Sequence, residues 1–208
     1  IDLSTVNHTS FFRESLTLGM LADEVAGRLR STPAGLVRVW SAGCSAGQEP
    51  YSFVMCVAER FPGVAPERLE VWASDISLEM VHTAARAIYN ERLLGDVSIE
   101  RLRRFFLRGR ESRHGLFRVA PEIRRLVRFQ HFDLRAAEWP VPIELDAILC
   151  RNVAIYFEDA ERLALLERLA RQLRRGGWLV VGNCEIFPEV PGLLEKHGPS
   201  LFRRVSNS

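Results

Sequence analysis

Several patterns are absent from this 208-residue sequence, and each absence narrows the possibilities. It contains no run of roughly 20 uninterrupted apolar residues, which a membrane-spanning helix requires. Its opening letters, IDLSTVNHTS, lack the basic start and apolar stretch of a signal peptide. We therefore predict a cytoplasmic protein that does not insert into a membrane.

Cysteine and histidine are too sparse for a disulfide framework or a metal centre. The four cysteines are widely spaced and form no C-x-x-C pair. The five histidines show no ligand spacing such as H-x-x-x-H. We expect reduced, mostly buried thiols and no bound metal.

Lysine is almost missing: Lys196 is the only one among 28 basic residues, so the other 27 are arginines. The segment 101–128 holds ten of these arginines and only two acidic residues, which gives it a net charge of +8 and leaves −6 for the rest of the chain. Such a segment favours an acidic partner. The alternative is that the arginines only cover a solvated face.

What the sequence does contain is an alternation of strand-like and helix-like runs. This rhythm predicts an α/β fold, with a doubly wound and mostly parallel sheet covered by helices on both faces. The segment at about 98–128 breaks the rhythm and predicts a small basic insertion, with a helix over 98–107 and short antiparallel strands from 115. The predicted strands of the main sheet cover 36–42, 69–74, 126–132, 145–150, 178–182 and 200–205, and its helices cover 48–61, 78–89 and 159–174.

Ligands of open α/β sheets bind at the carboxyl ends of the strands. The first predicted strand runs into a loop that contains Gly43 and then into a helix, so the backbone can approach a ligand closely. The loop is neither G-x-G-x-x-G nor a phosphate loop, and Glu49 would repel a pyrophosphate but suit a cation. Asp75 ends the second strand, where an acidic side chain typically binds a ribose. Together they predict a nucleoside site, although each feature alone is more often a turn or a cap.

Four motifs make the interpretation more specific. In chain order they are NHTSFFRE (7–14), SAGCSAGQEPYS (41–52), ASDIS (73–77) and LCRNVAIYF (149–157), and the chain closes with SLFRRV (200–205). The sequence resembles the S-adenosylmethionine-binding domain of the CheR-type chemotaxis-receptor methyltransferases over essentially its whole length. The resemblance implies a class I, Rossmann-like methyltransferase fold over 1–208, with S-adenosylmethionine (SAM) as cofactor and S-adenosylhomocysteine as product. Members usually carry a preceding helical domain, which we expect to be absent here.

The resemblance also implies roles for single residues. Glu49 matches the glutamate near the methionine amino group, Asp75 the acid on the ribose, and Tyr156 the tyrosine facing the transferred methyl. Asp133 stands where the family has an asparagine beside the adenine. Arg13 and Tyr156 are the expected catalytic residues. The expected cofactor-binding residues are Asn7, Thr9, Arg13, Gly43, Glu49, Asp75, Asp133, Leu134, Cys150, Arg151 and Asn152.

The family's reaction fits these residue types. It transfers a methyl group to a glutamate side chain, which has an ordinary pKa of about 4.3 and therefore needs no general base at neutral pH. Arg13 is suited to hold that carboxylate through its planar fork. The expected substrate is an acidic helix of a chemoreceptor's cytoplasmic coiled coil, which a basic insertion would suit.

Two other functions compete with this prediction. The first is a nucleic-acid methyltransferase whose arginines contact phosphates. CRNVAIYF differs from the N/D-P-P-Y motif of base methylases, so we expect no nucleic-acid partner. The second is a regulatory module that binds the cofactor without turnover, and the presence of Arg13 and Tyr156 argues against it. Each of these two residues also has a structural alternative, as a surface ion-pair partner and as a buried tyrosine.

Overall fold

The main sheet matches the predicted class. A computed structural model describes residues 9–183, 185 and 190–205. Its strands are β1 (Val37–Ala42), β2 (Leu69–Asp75), β3 (Ile88–Asn90), β4 (Phe106–Arg108), β5 (Leu116–Val119), β6 (Val127–His131), β7 (Leu145–Cys150), β8 (Leu173–Val181), β9 (Leu194–Lys196) and β10 (Leu201–Arg204). Seven of the described strands form one sheet in the order β6-β2-β1-β7-β8-β10-β9. The first five are parallel, and β10 is antiparallel to both of its neighbours. The predicted fold class is confirmed.

Helices cover both faces of this sheet. The α-helices of the described residues are α1 (Ser15–Ser31), α2 (Gln48–Arg60), α3 (Leu78–Arg86), α4 (Ile99–Phe105), α5 (Pro121–Arg124) and α6 (Asp159–Gln172), of which α4 packs against the small sheet instead. Alternate side chains of β1 enter two separate cores: Val39 packs with α1 and α2, whereas Trp40 packs with α6. A strand buried on both faces explains why its sequence is continuously apolar. Within the described part of the chain, every helix is too short or too polar to cross a membrane.

The order of the strands fixes where a ligand can bind. The chain runs from β1 outwards through β2 to β6, and then returns to the other side of β1 for β7 and β8. The switch in direction therefore lies between β1 and β7. In sheets of this kind the crevice at the carboxyl ends of those two strands is the binding position.

The small antiparallel insertion begins earlier than predicted. The order of its three-stranded sheet is β3-β5-β4, so it starts at Ile88 rather than near 98. The helix predicted over 78–89 ends at Arg86, because Ala87 adopts a left-handed conformation and the next residues pair with β5. This pairing is long-range, so helical periodicity could not reveal it.

Two further boundaries differ from the prediction. We expected a helix to continue to 174, but Leu173 already pairs with Leu145 as the start of β8. The strand then accommodates Gly176, at φ +71°, beside a register shift against β7. The glycine pair that was predicted to stop a helix therefore lies inside a strand.

Helix α1 was not predicted at all, although its sequence carries the signal. Its buried positions recur at helical spacing along one face and are Leu18, Leu21, Ala22, Val25, Ala26 and Leu29. All of them except Ala26 belong to the same hydrophobic core as α2. Helix α1 thereby ties residues 9–14, the described part of the first motif, to the main sheet.

Candidate functional site

The loop after β1 lies at the switch point of the sheet. The backbone N–H groups of Gly43 and Cys44 both donate to the Ser74 carbonyl at the end of β2, each at 2.8 Å. Gly43 has φ +82°, and a Cβ there would lie 2.3 Å from Val153 Cγ2 in the loop after β7. The contact leaves no room for a side chain, so glycine is required at this position.

The Asp75 carboxylate holds this loop against β2. One of its oxygens accepts from the Ser45 N–H at 2.7 Å, and the other accepts from the Ser77 N–H at 2.9 Å. Each carboxylate oxygen can accept a second hydrogen bond, so the group can still bind hydroxyls. Among the described residues, the Ser45 Oγ is buried without a hydrogen-bond partner. A buried polar atom of this kind fits a loop built to contact a ligand.

A buried arginine joins three parts of the site. The Arg151 side chain, which follows β7, is only 2% exposed. It pairs with Glu14 at 2.9 Å and with Glu49 of α2 at 3.2 Å, and it donates to the Arg13 carbonyl at 2.8 Å. Two carboxylates share one guanidinium, so this cluster carries a net negative charge when both are ionised.

Glu49 is positioned by neighbours on both sides. One oxygen accepts from the Ser41 hydroxyl at 2.7 Å, and the other faces Arg151. Burial raises the pKa of Glu49 above its ordinary value, while Arg151 and Ser41 lower it in part. A cation bound beside Glu49 would stabilise the ionised form of this carboxylate.

Arg13 itself is exposed, but its backbone is tightly held. It lies between Phe12 at φ 57° and Glu14 at φ 52°, both in the left-handed region. Non-glycine residues held in that region cost about 1 kcal/mol or more each, and they persist only where the surroundings determine them. The conformation presents the Arg13 side chain outwards beside the buried cluster.

The residues after β7 differ in how they can contribute. Cys150 is fully buried in the core shared with α6, and burial raises the pKa of its thiol well above the usual range. Asn152 has a left-handed backbone at φ 59°. Tyr156 ends a short 3-10 turn and is 49% exposed. Of these three predicted residues, Asn152 is half-buried and Tyr156 is exposed, so their side chains are more accessible than that of Cys150.

Glu185 supports this loop and was not predicted from the sequence. Its carboxylate accepts three backbone hydrogen bonds, from Asn152 at 2.9 Å, Ala154 at 2.9 Å and Gly182 at 2.6 Å. The residue is 8% exposed. Because the donors come from the loops after two neighbouring strands, Glu185 fixes the position of the segment that carries Tyr156.

The end of β6 is built around a local turn. The Asp133 carboxylate accepts from the Arg135 N–H at 2.8 Å. Leu134 is buried, and its carbonyl accepts from Trp139 Nε1 at 3.1 Å. Both residues lie beyond β2, on the same edge of the sheet as Asp75.

The first motif is only partly described. Thr9 is half-buried and precedes the Phe12–Arg13–Glu14 backbone. Asn7 lies outside the described residues. The structure thus brings residues from all four motifs to one edge of the sheet.

Sequence comparisons agree with this geometry. Residues 7–200 match the family model described as CheR methyltransferase, SAM binding domain. The chain belongs to the CheR methyltransferase family. It is 37% identical over 202 residues to a chemotaxis protein methyltransferase of Escherichia coli strain K12. The aligned region covers 97% of this chain and 68% of that protein. A chemotaxis protein methyltransferase of Klebsiella aerogenes is 38% identical over 190 residues, covering 91% and 63%. The chain thus spans about two thirds of the length of these relatives.

A solved structure supports the fold alone. The crystal structure of DszA carbon methyltransferase gives a TM-score of 0.51 at 17% identity, covering 80% of this chain and 35% of that one. The CheR family assignment makes the chain a SAM-dependent methyltransferase domain, and the predicted cofactor is confirmed. The residues fit it: the carboxylates of Asp75 and Glu49 suit hydroxyl and ammonium groups, and the loop backbone allows close approach.

The CheR motifs could not reveal the roles of Glu14 and Glu185. Glu14 closes the first motif, yet its pairing with Arg151 spans most of the chain. Glu185 follows β8 in a segment without a recognisable pattern. A glutamate shortly after a strand of a parallel sheet was the available signal, because such residues lie at the binding edge.

Replacing Glu185 by glutamine is expected to lower the free energy of unfolding by about 1–3 kcal/mol. The amide offers one acceptor oxygen where the carboxylate has two, and its NH2 group would face a backbone donor. Urea denaturation measures the loss. The exposed Glu195→Gln on β9 is the control, and equal midpoints for the two variants would contradict the assigned role.

Proposed function

We propose that this domain transfers the methyl group of SAM to glutamate side chains on the cytoplasmic helices of chemoreceptors. The observation that carries the proposal is the placement of Arg13, an exposed arginine whose backbone is held beside a buried, net negative cluster. The two sides of this segment suit two different ligands. The acidic inner side suits a cation, and the outer arginine suits a carboxylate.

The inner side would bind the cofactor. Asp75 would accept from the ribose hydroxyls, and Glu49 would face the amino group. Asp133 and Leu134 would border the adenine, because they lie beyond β2 on the same edge. Arg151 would act by holding Glu49 in place rather than by direct contact, since its side chain is almost wholly buried. The remaining cofactor-binding residues of this proposal are Asn7, Thr9, Gly43 and Asn152, together with Arg13 and the buried Cys150, which would contribute through their backbone rather than their side chains.

The outer side would hold the substrate. When bound, SAM supplies an electrophilic methyl group on a positively charged sulfur. The attacking carboxylate is already ionised at neutral pH, so the protein has to orient it and exclude water rather than remove a proton. Arg13 can pair with both carboxylate oxygens. Tyr156, half exposed after β7, can add a hydrogen bond at the same edge.

The basic insertion suits an acidic helix as the partner. Several of its arginines are exposed, among them Arg103, Arg110, Arg113 and Arg118. Glutamate-bearing receptor helices have the complementary charge. Because such attraction is screened, methylation of receptor fragments should slow as salt is added.

Labelled SAM and chemoreceptor cytoplasmic fragments provide the direct test. We expect methyl esters on the fragments that are released by mild base, and no label on fragments whose candidate glutamates are replaced by alanine. Label found only in added nucleic acid would overturn the proposal in favour of a nucleic-acid methyltransferase. Tight SAM binding without transfer to any fragment would favour a regulatory module.

The affinity for SAM is expected to fall as the pH is lowered through the raised pKa of Glu49. The ammonium group of SAM favours the ionised carboxylate of Glu49, so protonation of Glu49 weakens the binding of SAM. The free energy of unfolding should change in the opposite direction and increase as the pH is lowered through this range. Because the pKa is higher in the folded state, ionisation of Glu49 reduces stability as the pH rises between the ordinary and the raised values.

Calorimetric titrations with SAM over a pH series measure this dependence. The variant Glu49→Gln should bind SAM more weakly at neutral pH and should lose this part of the pH dependence. If the wild type and the variant showed the same slope against pH, Glu49 would not be the group that faces the ammonium.

A further inference from the structure

The backbone around Arg13 is strained on both sides and requires support from both sides. Phe12 and Glu14 are left-handed, and Arg13 lies between them. On the Glu14 side, Arg151 binds both the Glu14 carboxylate and the Arg13 carbonyl. Strained residues of this kind persist where surrounding contacts determine them, so the Phe12 side must have contacts of its own.

The Phe12 side is held by a backbone contact and by a charged cover. The Phe12 N–H donates to the Ser52 hydroxyl of α2 at 2.9 Å. The Phe12 ring is buried, and the Arg101 guanidinium lies 4.0 Å from the ring centroid. This distance is well within the range of cation–π attraction.

Arg101 cannot drift away from that ring, because its guanidinium is fixed from the other side. It forms two hydrogen bonds with the Glu59 carboxylate of α2, at 2.8 and 2.9 Å. Paired in this two-pronged way, the guanidinium is locked in orientation as well as in position. It is therefore clamped between Glu59 and Phe12.

The basic insertion thus supports the motif that carries Arg13. Arg101 belongs to α4, which precedes strand β4 of the small sheet. The neighbouring Phe11 packs edge-on against Tyr89 of β3 and Phe106 of β4, with ring centroids 4.9 and 5.3 Å apart. The insertion covers both phenylalanines that precede Arg13.

We propose that Arg101 is a positioning residue for methyl transfer, which holds Phe12 and thereby the backbone that presents Arg13 to the substrate carboxylate. The proposal rests on the proposed function of Arg13. It assigns an intramolecular role to one member of the arginine-rich segment, which composition alone had linked only to a partner. Arg101 acts through Arg13 and contacts neither the cofactor nor the substrate.

The test compares two arginines of the same helix. Arg104 also lies on α4, donates to the Ala58 carbonyl of α2 at 3.1 Å, and lies 4.9 Å from the Phe105 ring, but it is not placed on Phe12. We expect Arg101→Gln to lower kcat for receptor fragments by roughly tenfold, since small misplacements of a reacting group have large effects. The KM for SAM should stay within about twofold, and Arg104→Gln should leave both constants within about twofold.

Arg101→Lys refines the comparison. Lysine keeps the positive charge over the ring but loses the two-pronged contact with Glu59. Its kcat should fall between those of the wild type and Arg101→Gln. Equal kcat values for Arg101→Gln and Arg104→Gln would overturn the proposal, as would a loss of SAM affinity that matches the loss in kcat.

A second measurement needs no substrate and separates this proposal from the proposed function. The Phe12 amide, which donates to Ser52, should exchange its hydrogen roughly tenfold faster in Arg101→Gln than in Arg104→Gln under native conditions. Unchanged exchange would overturn the positioning role even if the wild type methylates receptor glutamates. If the wild type transferred no methyl group, the proposed function would fail, and the exchange rates would still decide whether Arg101 holds this backbone.

Discussion

Replacing Arg13 by alanine is expected to lower the rate of methyl transfer by roughly 10²- to 10³-fold, while the dissociation constant for SAM stays within about threefold. The structure separates the two effects. The buried cluster uses the Arg13 carbonyl, which accepts from Arg151, and alanine keeps this carbonyl. Truncating the side chain therefore keeps the backbone contact between Arg13 and Arg151 and removes the exposed guanidinium.

Steady-state methylation of receptor fragments and calorimetry with SAM measure the two quantities. Arg13→Lys should retain part of the rate, because lysine keeps the charge but not the planar fork. Arg30→Ala, at the far end of α1 and also exposed, is the matched control and should change neither quantity. If the SAM affinity fell as steeply as the rate, Arg13 would belong to the cofactor site instead.

Replacing Arg151 by methionine should destabilise the fold by about 3–5 kcal/mol. Methionine fills similar space, but it leaves two partly buried carboxylates, Glu14 and Glu49, without their shared cation. Burial already raises the pKa of Glu49, and removal of Arg151 takes away its main charged compensation. The loss should shrink as the pH is lowered, because protonation removes the uncompensated charges.

Chemical denaturation measures this loss against a surface pair of the same residue types. Arg171 and Glu167 on α6 lie 3.0 Å apart, and the Arg171 side chain is 64% exposed, so Arg171→Met should cost under about 1 kcal/mol. Glu14→Gln with Glu49→Gln should restore much of the stability of Arg151→Met. A loss no larger than that of Arg171→Met would show that the buried cluster is not important for folding.

The sheet was predictable because its signals are local. Strands β1, β2 and β7 are short apolar runs, each followed by a polar turn, and α6 has leucines at helical spacing. The start of the insertion was not predictable, because Ile88 joins a sheet only through pairing with Arg118. Helix α1 carries an equally local signal, since its buried positions recur along one helical face.

The location of the site followed from the same reasoning. Gly43 follows β1, Glu49 begins the next helix and Asp75 ends β2, which places all three at the carboxyl edge of a parallel sheet. The roles of Glu14, Glu185 and Arg101 could not be derived in this way. Each of them contacts a residue far away in the chain. Glutamates and arginines in ordinary salt bridges or on the surface look the same in the sequence.

The sequence by itself determined the fold class, the family and the edge of the sheet that carries the chemistry, because periodicity and motif spacing are properties of neighbouring residues. Only the tertiary structure decided which charges meet. It buried Arg151 between Glu14 and Glu49, and it turned Arg101 inwards onto Phe12. An arginine in water and an arginine locked between a carboxylate and a ring are identical in sequence. Burial and partner distance distinguish them, and both are set by contacts that the folded chain alone creates.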